Sequence, residues 1–179
     1  MNRRYFIKSG ATLGAAALLC KLPFVSASQQ KGSTGEGVAS ASIKKIVKSD
    51  EEWRRLLTPE QYRVTRQKGT ETPYSSPLNK VSARGVFECV CCALPLFSSQ
   101  AKYDSHTGWP SFWKPISKQN VREQTETAEG DTRTEVVCNR CDAHLGHVFD
   151  DGPDPTGLRY CMNGVALKFV KSAKSVKRA

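Results

Sequence analysis

The pattern of apolar and polar residues divides the chain near position 85. Before that point, two signals typical of helix starts follow one another closely: Ser49 with Glu52, and Thr58 with Gln61. A Ser or Thr followed three residues later by Glu or Gln forms a capping box, and Pro59 suits the first turn of the second helix. We therefore predict two short helices in tandem.

From position 85 onward, short runs typical of strands alternate with Gly, Pro and Asp. The runs cover residues 85–90, 133–138, 147–150, 159–162 and 166–170. Runs of this length bounded by turn residues indicate β-strands. The pattern predicts a mainly β fold, an antiparallel β-sandwich or barrel-like domain with short N-terminal helices.

The first 27 residues have the features of an export signal and do not bear on the fold. Residues 2–8, NRRYFIK, resemble the twin-arginine motif, and a short apolar stretch precedes Val25, Ser26 and Ala27, which suit a cleavage site. A bilayer span needs ~20 apolar residues, more than this stretch offers. We expect an exported, periplasmic protein. An uncleaved signal that anchors the protein to the membrane, or lipidation at Cys20, are the alternatives.

The segments that flank the domain are polar. Residues 28–42 are rich in Gly, Ser, Ala and Gln and are interpreted as a flexible linker. The signal contains four basic residues and no acidic one, so its removal lowers the net charge from +10 to +6. Residues 171–179 form a basic tail. Nucleic-acid binding would need aromatic residues among the basic ones, and Phe169 is the only one near this tail, so we expect no nucleic-acid partner.

Four of the seven cysteines form two CxxC pairs, Cys89 with Cys92 and Cys138 with Cys141. Each pair can direct two thiolates to one point, and four sulfurs complete the shell of a structural zinc ion. Two disulfides are the alternative, which export makes more plausible. We favour one zinc ion held by a pair of zinc knuckles, because a CxxC disulfide closes a very small loop and constrains the unfolded chain little. Cys91 is then a spare thiol.

Cys161 also remains without a partner, which makes it the candidate nucleophile. Arg159, two positions earlier, would lie on the same face of an extended strand. Its charge can favour the thiolate, the reactive form of cysteine. The alternative is an exposed arginine paired with a carboxylate.

Three motifs surround this thiol in the sequence. Residues 104–112 read DSHTGWPSF, residues 144–153 read HLGHVFDDGP, and residues 157–163 read GLRYCMN. Together with the two CxxC pairs, they strongly resemble the methionine-R-sulfoxide reductase (MsrB) family, and residues 43–170 would form its catalytic domain. The resemblance implies an oxidoreductase that reduces the R epimer of peptidyl methionine sulfoxide and leaves Cys161 as a sulfenic acid.

The chemistry of sulfoxide reduction gives the neighbouring residues roles. The departing oxygen must be protonated by an acid, and His147 is our first choice, with His144 beside it on a turn or strand start. Asp151 could orient one imidazole, and Asn163 could donate a hydrogen bond to the substrate oxygen. The resemblance carries these four residues and Arg159 into the active site.

The remaining site residues concern the substrate methyl group and the recovery of the thiol. Trp109, with Phe149 as support, would form an apolar wall for the methyl group, whereas His106 is treated as a surface residue. Many family members have a resolving cysteine just before the Gly-Trp-Pro motif, and Thr107 occupies that position here. Cys161 would then be regenerated by an external thiol, such as a thioredoxin-like protein, or by Cys91 after a rearrangement.

Other functional classes fit the sequence less well. A zinc-knuckle binding module would give no role to GLRYCMN, and a zinc hydrolase would need an open coordination position. A periplasmic thiol-disulfide oxidoreductase that uses one CxxC as a redox pair is the main alternative. We expect oxidised proteins or peptides as substrates and a monomeric enzyme.

Overall fold

The computed structural model describes residues 43–128 and 131–172. The predicted export signal (1–27) and linker (28–42) lie outside these residues, as does most of the basic tail (171–179). Within the described ranges, no helix has the length and apolar character that a membrane span requires.

Two helices open the domain, as the capping signals predicted. α1 is Asp50–Leu56 and α2 is Pro59–Gln67. In α1, the Glu52 backbone N–H donates to Ser49 Oγ at 3.3 Å, and the Ser49 N–H donates back to the Glu52 carboxylate at 2.7 Å. Thr58 and Gln61 make the same reciprocal pair at the start of α2. These bonds satisfy backbone donors that a helix start otherwise leaves unpaired.

Nine strands follow within the described residues, all paired in antiparallel fashion. Their bounds are β1 Gly85–Cys89, β2 Pro95–Ser98, β3 Lys102–Tyr103, β4 Ser111–Phe112, β5 Val121–Ala128, β6 Asp131–Cys138, β7 His144–Phe149, β8 Arg159–Met162 and β9 Leu167–Lys171. They form a three-stranded sheet in the order β2-β1-β9 and a six-stranded sheet in the order β3-β4-β8-β7-β6-β5.

Aromatic side chains fill the space between the two sheets. The ring of Phe97 on β2 stacks on Phe112 of β4 with centroids 4.5 Å apart, and Phe87 of β1 meets the same ring edge-on at 4.9 Å. Tyr160 of β8 lies 5.8 Å from Phe97. All four rings are almost fully buried. The prediction of a mainly antiparallel β-sandwich with two short helices is therefore confirmed.

The sequence predicts fewer strands than the described part of the structure contains. Each of the five predicted runs is a strand in the structure, although several begin or end one to three residues away from the predicted bounds. β2, β3, β4 and β5 were not predicted. β3 and β4 have two residues each. Residues 122–127 of β5 are entirely polar and lie at the sheet edge, so β5 lacks the apolar alternation that marks a half-buried strand.

Candidate active site and metal centre

Cys161 lies at the middle of the larger sheet. On β8 it pairs with Ser111 of β4 on one side and with His147 of β7 on the other. Side chains directly opposite each other on antiparallel strands have Cβ atoms ~4.5–5.5 Å apart. The neighbouring Gly146 is required by this packing, because a Cβ there would lie 2.1 Å from the carbonyl oxygen of Cys161. The sheet therefore brings the predicted acid next to the predicted nucleophile.

A small cavity of about 130 Å³ opens over Cys161. Its lining includes Trp109, His147, Phe149 and Asn163 together with the cysteine. Trp109 and Phe149 are the two apolar surfaces, while His147 contributes a polar edge. The structure therefore brings together four of the residues that the sequence placed around the thiol.

His147 is held by a carboxylate that the sequence did not reveal. Its Nε2 lies 2.9 Å from the Glu126 carboxylate on β5. This hydrogen bond is the main cause of the lowered pKa of Glu126. Because an ionised carboxylate only accepts hydrogen bonds, Nε2 carries a proton and Nδ1 is the nitrogen that can serve the cavity.

His144 occupies a different environment from His147. It is buried, and its Nδ1 lies 2.8 Å from the Glu135 carboxylate. Burial lowers the pKa of His144, more strongly than Glu135 raises it. His144 therefore remains neutral at neutral pH. It is not among the residues that line the cavity, so its contact with the site is through the His147 ring, 5.4 Å away between centroids.

Lys68 links the carboxylates behind the two histidines. Its ammonium lies 2.6 Å from Glu135 and 3.1 Å from Glu126. Burial alone would raise the pKa of Glu135, but hydrogen bonds from Lys68, Gln124 and His144 outweigh it and lower that pKa to about 2. A fully buried carboxylate needs such compensation to stay ionised. Lys68 therefore supplies the positive charge on which both histidine–carboxylate pairs depend.

Asp151 does not orient an imidazole, which corrects our expectation. Its two carboxylate oxygens accept from Nε and Nη2 of Arg159, both at 2.7 Å. The guanidinium also lies over the Phe149 ring, 4.3 Å from its centroid. The hydrogen bonds with Asp151 raise the pKa of Arg159, and the nearby Cys161 raises it further. Asp151 therefore fixes the direction of Arg159, and Glu126 and Glu135 orient the imidazoles instead.

Asn163 is already engaged by the backbone. Its Oδ1 accepts from the N–H of Glu71 at 3.0 Å, and its Nδ2 donates to the carbonyl of Leu145 at 3.2 Å. One amide hydrogen is left for the cavity. The carbonyl of Glu71 accepts from Trp109 Nε1 at 3.2 Å, so one residue positions both Trp109 and Asn163.

The side chain of Glu71 anchors this segment to the turn after β8. It accepts from the backbone N–H groups of Gly164 and Val165 at 2.7 and 2.8 Å. Burial raises the pKa of Glu71 even though these bonds favour the charged form. Glu71 was missed because it lies outside any periodic segment, and its partners are more than 90 residues away in sequence.

The two CxxC pairs converge on one point, as predicted. Cys89 and Cys141 have sulfur atoms 3.7 Å apart, and those of Cys92 and Cys138 are 3.5 Å apart. All four sulfurs lie within 4.8 Å of one another. A tetrahedral zinc ion with Zn–S bonds of ~2.3 Å places its sulfurs ~3.8 Å apart. The four cysteines therefore fit one zinc ion, and among the described cysteines none forms a disulfide.

Comparison with known proteins identifies the family to which the chain belongs. The family model for the SelR domain matches residues 57–171. A protein of Hahella chejuensis named peptide methionine sulfoxide reductase MsrB is 56% identical over 125 residues, which cover 70% of this chain and 90% of that protein. A protein of Pseudomonas fluorescens with the same name is 56% identical over 128 residues, 72% of this chain and 98% of its own. The chain belongs to the SelR/MsrB family.

The zinc knuckles of this SelR domain support the sheet away from the thiol. Cys138 ends β6 and Cys141 precedes β7, so these two cysteines would hold the metal at the turn between the strands. His147 is three residues further along β7 than His144, which pairs next to the knuckle. With a rise of ~3.3 Å per residue, the zinc end and the Cys161 cavity are ~10 Å apart along the strand. The zinc role is structural, and four cysteine ligands leave no pair free for redox chemistry.

Two further thiol-related predictions concern Thr107 and Cys91. Thr107 Oγ1 lies 3.8 Å from Cys161 Sγ, so the residue at the resolving position does contact the nucleophile. Cys91 packs against the core beside the zinc cysteines. His106 is an exposed surface residue, as expected, paired with Asp104 at 3.5 Å.

Zinc content tests the metal centre. We expect one zinc ion per chain, and Cys138→Ser should lose zinc and unfold at a temperature lower by well over ~10 °C, because a structural zinc contributes several kcal/mol and each kcal/mol shifts the midpoint by ~2–8 °C. Elemental analysis and thermal unfolding measure both. Cys91→Ser is the matched control and should keep the metal. Equal zinc content in the two variants would refute the assignment.

The hydrogen bond between Glu126 and His147 leads to a kinetic prediction for the SelR site. Glu126→Gln keeps a hydrogen-bond acceptor but removes the negative charge beside His147, the proposed acid, so kcat should fall roughly tenfold. This is less than the ~10²–10⁴-fold that general acid catalysis contributes as a whole, because His147 itself remains. KM should change little, because Glu126 is not among the residues that line the cavity. Steady-state kinetics measure both. Glu88→Gln, on the other sheet, is the control for charge, and an equal loss there would contradict the pairing.

Proposed function

We propose that this chain is a peptide methionine (R)-S-oxide reductase in which Cys161 is the nucleophile. The observation that carries the proposal is the pairing of β7 with β8, which sets Cys161 opposite His147 beneath a cavity walled by Trp109 and Phe149. The relatives of the SelR/MsrB family are named for reduction of methionine sulfoxide. A thiol, an acid and an apolar wall are the groups that this reaction needs.

The reaction transfers two electrons from one sulfur to another. The Cys161 thiolate attacks the sulfoxide sulfur and forms an S–S bond. The sulfoxide oxygen takes a proton from Nδ1 of His147, since an unprotonated oxide is a very poor leaving group. His147 acts here in its doubly protonated form, because Nε2 keeps the proton shared with Glu126. The S–S bond formed in the attack then breaks as the hydroxyl passes from the methionine sulfur to the sulfur of Cys161, which becomes a sulfenic acid, and methionine departs as a thioether. The substrate sulfur is reduced by two electrons, and the cysteine sulfur is oxidised by two.

Arg159 favours the attacking form of the thiol. Its guanidinium is held by both oxygens of Asp151 and by the face of Phe149. A bidentate arginine pair of this kind has a defined direction as well as a charge. The positive charge therefore stays near Cys161 while the thiolate forms and is consumed.

The walls of the cavity suit a methyl sulfoxide. Trp109 presents an apolar ring whose Nε1 is anchored to the carbonyl of Glu71, so the ring cannot turn freely. The substrate methyl would pack on Trp109 and Phe149, and the oxygen would face His147. The methyl wall and the acid occupy different, fixed sides of the cavity, so the binding site is chiral. We propose that it selects the R epimer, in agreement with the stereochemistry that the family resemblance implies.

The thiol is restored by an external reductant. A first thiol attacks the sulfenic acid and releases water, which leaves a mixed disulfide on Cys161, and a second thiol restores the cysteine. We propose a thioredoxin-like protein as the source of these thiols and a monomeric enzyme that acts on oxidised proteins or peptides. Capture by Cys91 is the less favoured route, since Cys91 packs beside the zinc cysteines.

We also propose that residues 1–27 direct the chain to the periplasm as a twin-arginine signal, with residues 43–170 as the catalytic domain. The support is the NRRYFIK motif and the metal centre, because the twin-arginine route carries proteins that are already folded, often around a cofactor. Zinc would then bind in the cytoplasm, before export.

Activity on separated epimers tests the function. The wild-type protein should reduce a peptide containing the R epimer of methionine sulfoxide with dithiothreitol as reductant, and Cys161→Ser should lose at least ~10³-fold of this activity because the nucleophile is gone. Chromatography of the peptide product measures the turnover. Zinc content of the variant serves as the folding control. Turnover of the S epimer alone, or an active Cys161→Ser protein, would contradict the proposal.

The export proposal is tested in cells. Replacement of both Arg3 and Arg4 by lysine should keep the protein in the cytoplasm, because a receptor reads the paired arginines as an address. Fractionation and immunodetection measure the distribution. Lys8→Arg is a control that leaves the pair intact, and a periplasmic double variant would show that another signal directs the chain.

A further inference from the structure

Three hydroxyl groups connect Cys161 to a backbone carbonyl. Cys161 Sγ lies 3.8 Å from Thr107 Oγ1, which lies 2.8 Å from Ser105 Oγ. Ser105 Oγ is 2.7 Å from Ser111 Oγ, and Ser111 donates to the carbonyl oxygen of Trp109 at 3.2 Å. Each neighbour is within hydrogen-bond distance of the next, so the groups form one continuous chain, which we call the hydroxyl chain.

The carbonyl at its end fixes the direction of the hydroxyl chain when Cys161 is a thiol. A carbonyl oxygen only accepts hydrogen bonds. The proton of Ser111 therefore points to Trp109, and Ser111 accepts from Ser105. By the same logic Ser105 accepts from Thr107, and Thr107 accepts from the thiol. In this state every link is satisfied, and the Thr107 proton points away from the sulfur.

The same chain cannot keep that direction when Cys161 is a thiolate. A thiolate has no proton to donate, so Thr107 gains most by turning its hydroxyl toward the sulfur. Ser105 and Ser111 can follow by turning in the same sense. The only link lost is the one from Ser111 to the Trp109 carbonyl, which at 3.2 Å is the longest oxygen–oxygen contact of the set.

The balance of bonds favours this reversal. The lost contact joins two neutral groups, whereas the new one from Thr107 reaches an anion. Hydrogen bonds to a charged partner are roughly twice as strong as neutral ones. The thiol proton does not travel along the chain, because a carbonyl oxygen cannot take it up. It leaves through the cavity to water.

We propose that Thr107, Ser105 and Ser111 form a reversible hydrogen-bond switch that responds to the charge of Cys161. Thr107 is a catalytic residue, because its hydroxyl touches the reacting sulfur and stabilises the thiolate. Ser105 is a positioning residue that competes for the Thr107 proton while Cys161 is a thiol. The inference rests on the proposed function for its role in turnover, but the switch itself is a property of the thiol.

Alkylation of Cys161 by iodoacetamide tests the switch without any sulfoxide substrate. The zinc-loaded protein is treated at one pH, and the modified Cys161 peptide is quantified over time by mass spectrometry. Thr107→Val keeps the side-chain shape but removes the donor, so alkylation should slow about tenfold, the effect of one charge-assisted hydrogen bond. Thr107→Ser should restore most of the rate.

Ser105→Ala distinguishes the switch from a fixed donor. If Ser105 competes for the Thr107 proton, its removal should speed alkylation, by about threefold for a neutral hydrogen bond. Thr132→Val, on exposed strand surface, should leave the rate unchanged, and thermal unfolding checks that each variant is folded. An unchanged rate in Thr107→Val, or an unchanged or slower rate in Ser105→Ala, would overturn the switch. Absence of sulfoxide turnover in the wild type would refute the proposed function alone.

Discussion

The pairing of β8 with a strand on each side is the constraint on which the site depends. It sets Ser111, Cys161 and His147 in one row across three strands. Gly146 permits the close approach of β7, because any side chain there would collide with the backbone at Cys161. The thiol is thus placed by backbone hydrogen bonds and lies between a hydroxyl chain and a histidine. The aromatic core between the two sheets packs against β4 and β8, through Phe112 and Tyr160, and holds these strands in place.

A second constraint is electrostatic. Glu126, Glu135 and His144 lie behind the cavity that His147 lines, and Lys68 at the end of α2 contacts both acids. Glu135 is fully buried whereas Lys68 is half exposed, so the buried carboxylate depends on its hydrogen-bond partners to stay ionised. The network therefore couples the N-terminal helices to the active-site histidines. The two histidines have different surroundings and therefore different roles. His144 is buried and neutral, whereas His147 lines the cavity and pairs with Glu126.

Local signals in the sequence predicted those parts of the fold that local interactions determine. Both helices begin at their capping boxes, and the two CxxC pairs meet, because each depends on residues a few positions apart. The motifs around Cys161, His147 and Trp109 likewise identified the cavity. The partners of the histidines could not be found in this way. Glu126 reaches His147 only through the register of three strands, and a bulge between Val136 and Val137 shifts that register, so counting residues along the chain does not reveal the contact.

The central claim is that Cys161 takes the oxidising equivalent from methionine sulfoxide. A single-turnover reaction without reductant measures this most directly: the zinc-loaded protein is mixed with excess R-epimer peptide and dimedone, and each cysteine peptide is analysed by mass spectrometry. The account predicts a dimedone adduct on Cys161 in an amount equal to the methionine formed, with the zinc cysteines unmodified. Methionine formed while Cys161 stays a free thiol, or with a disulfide among Cys89, Cys92, Cys138 and Cys141, would contradict it.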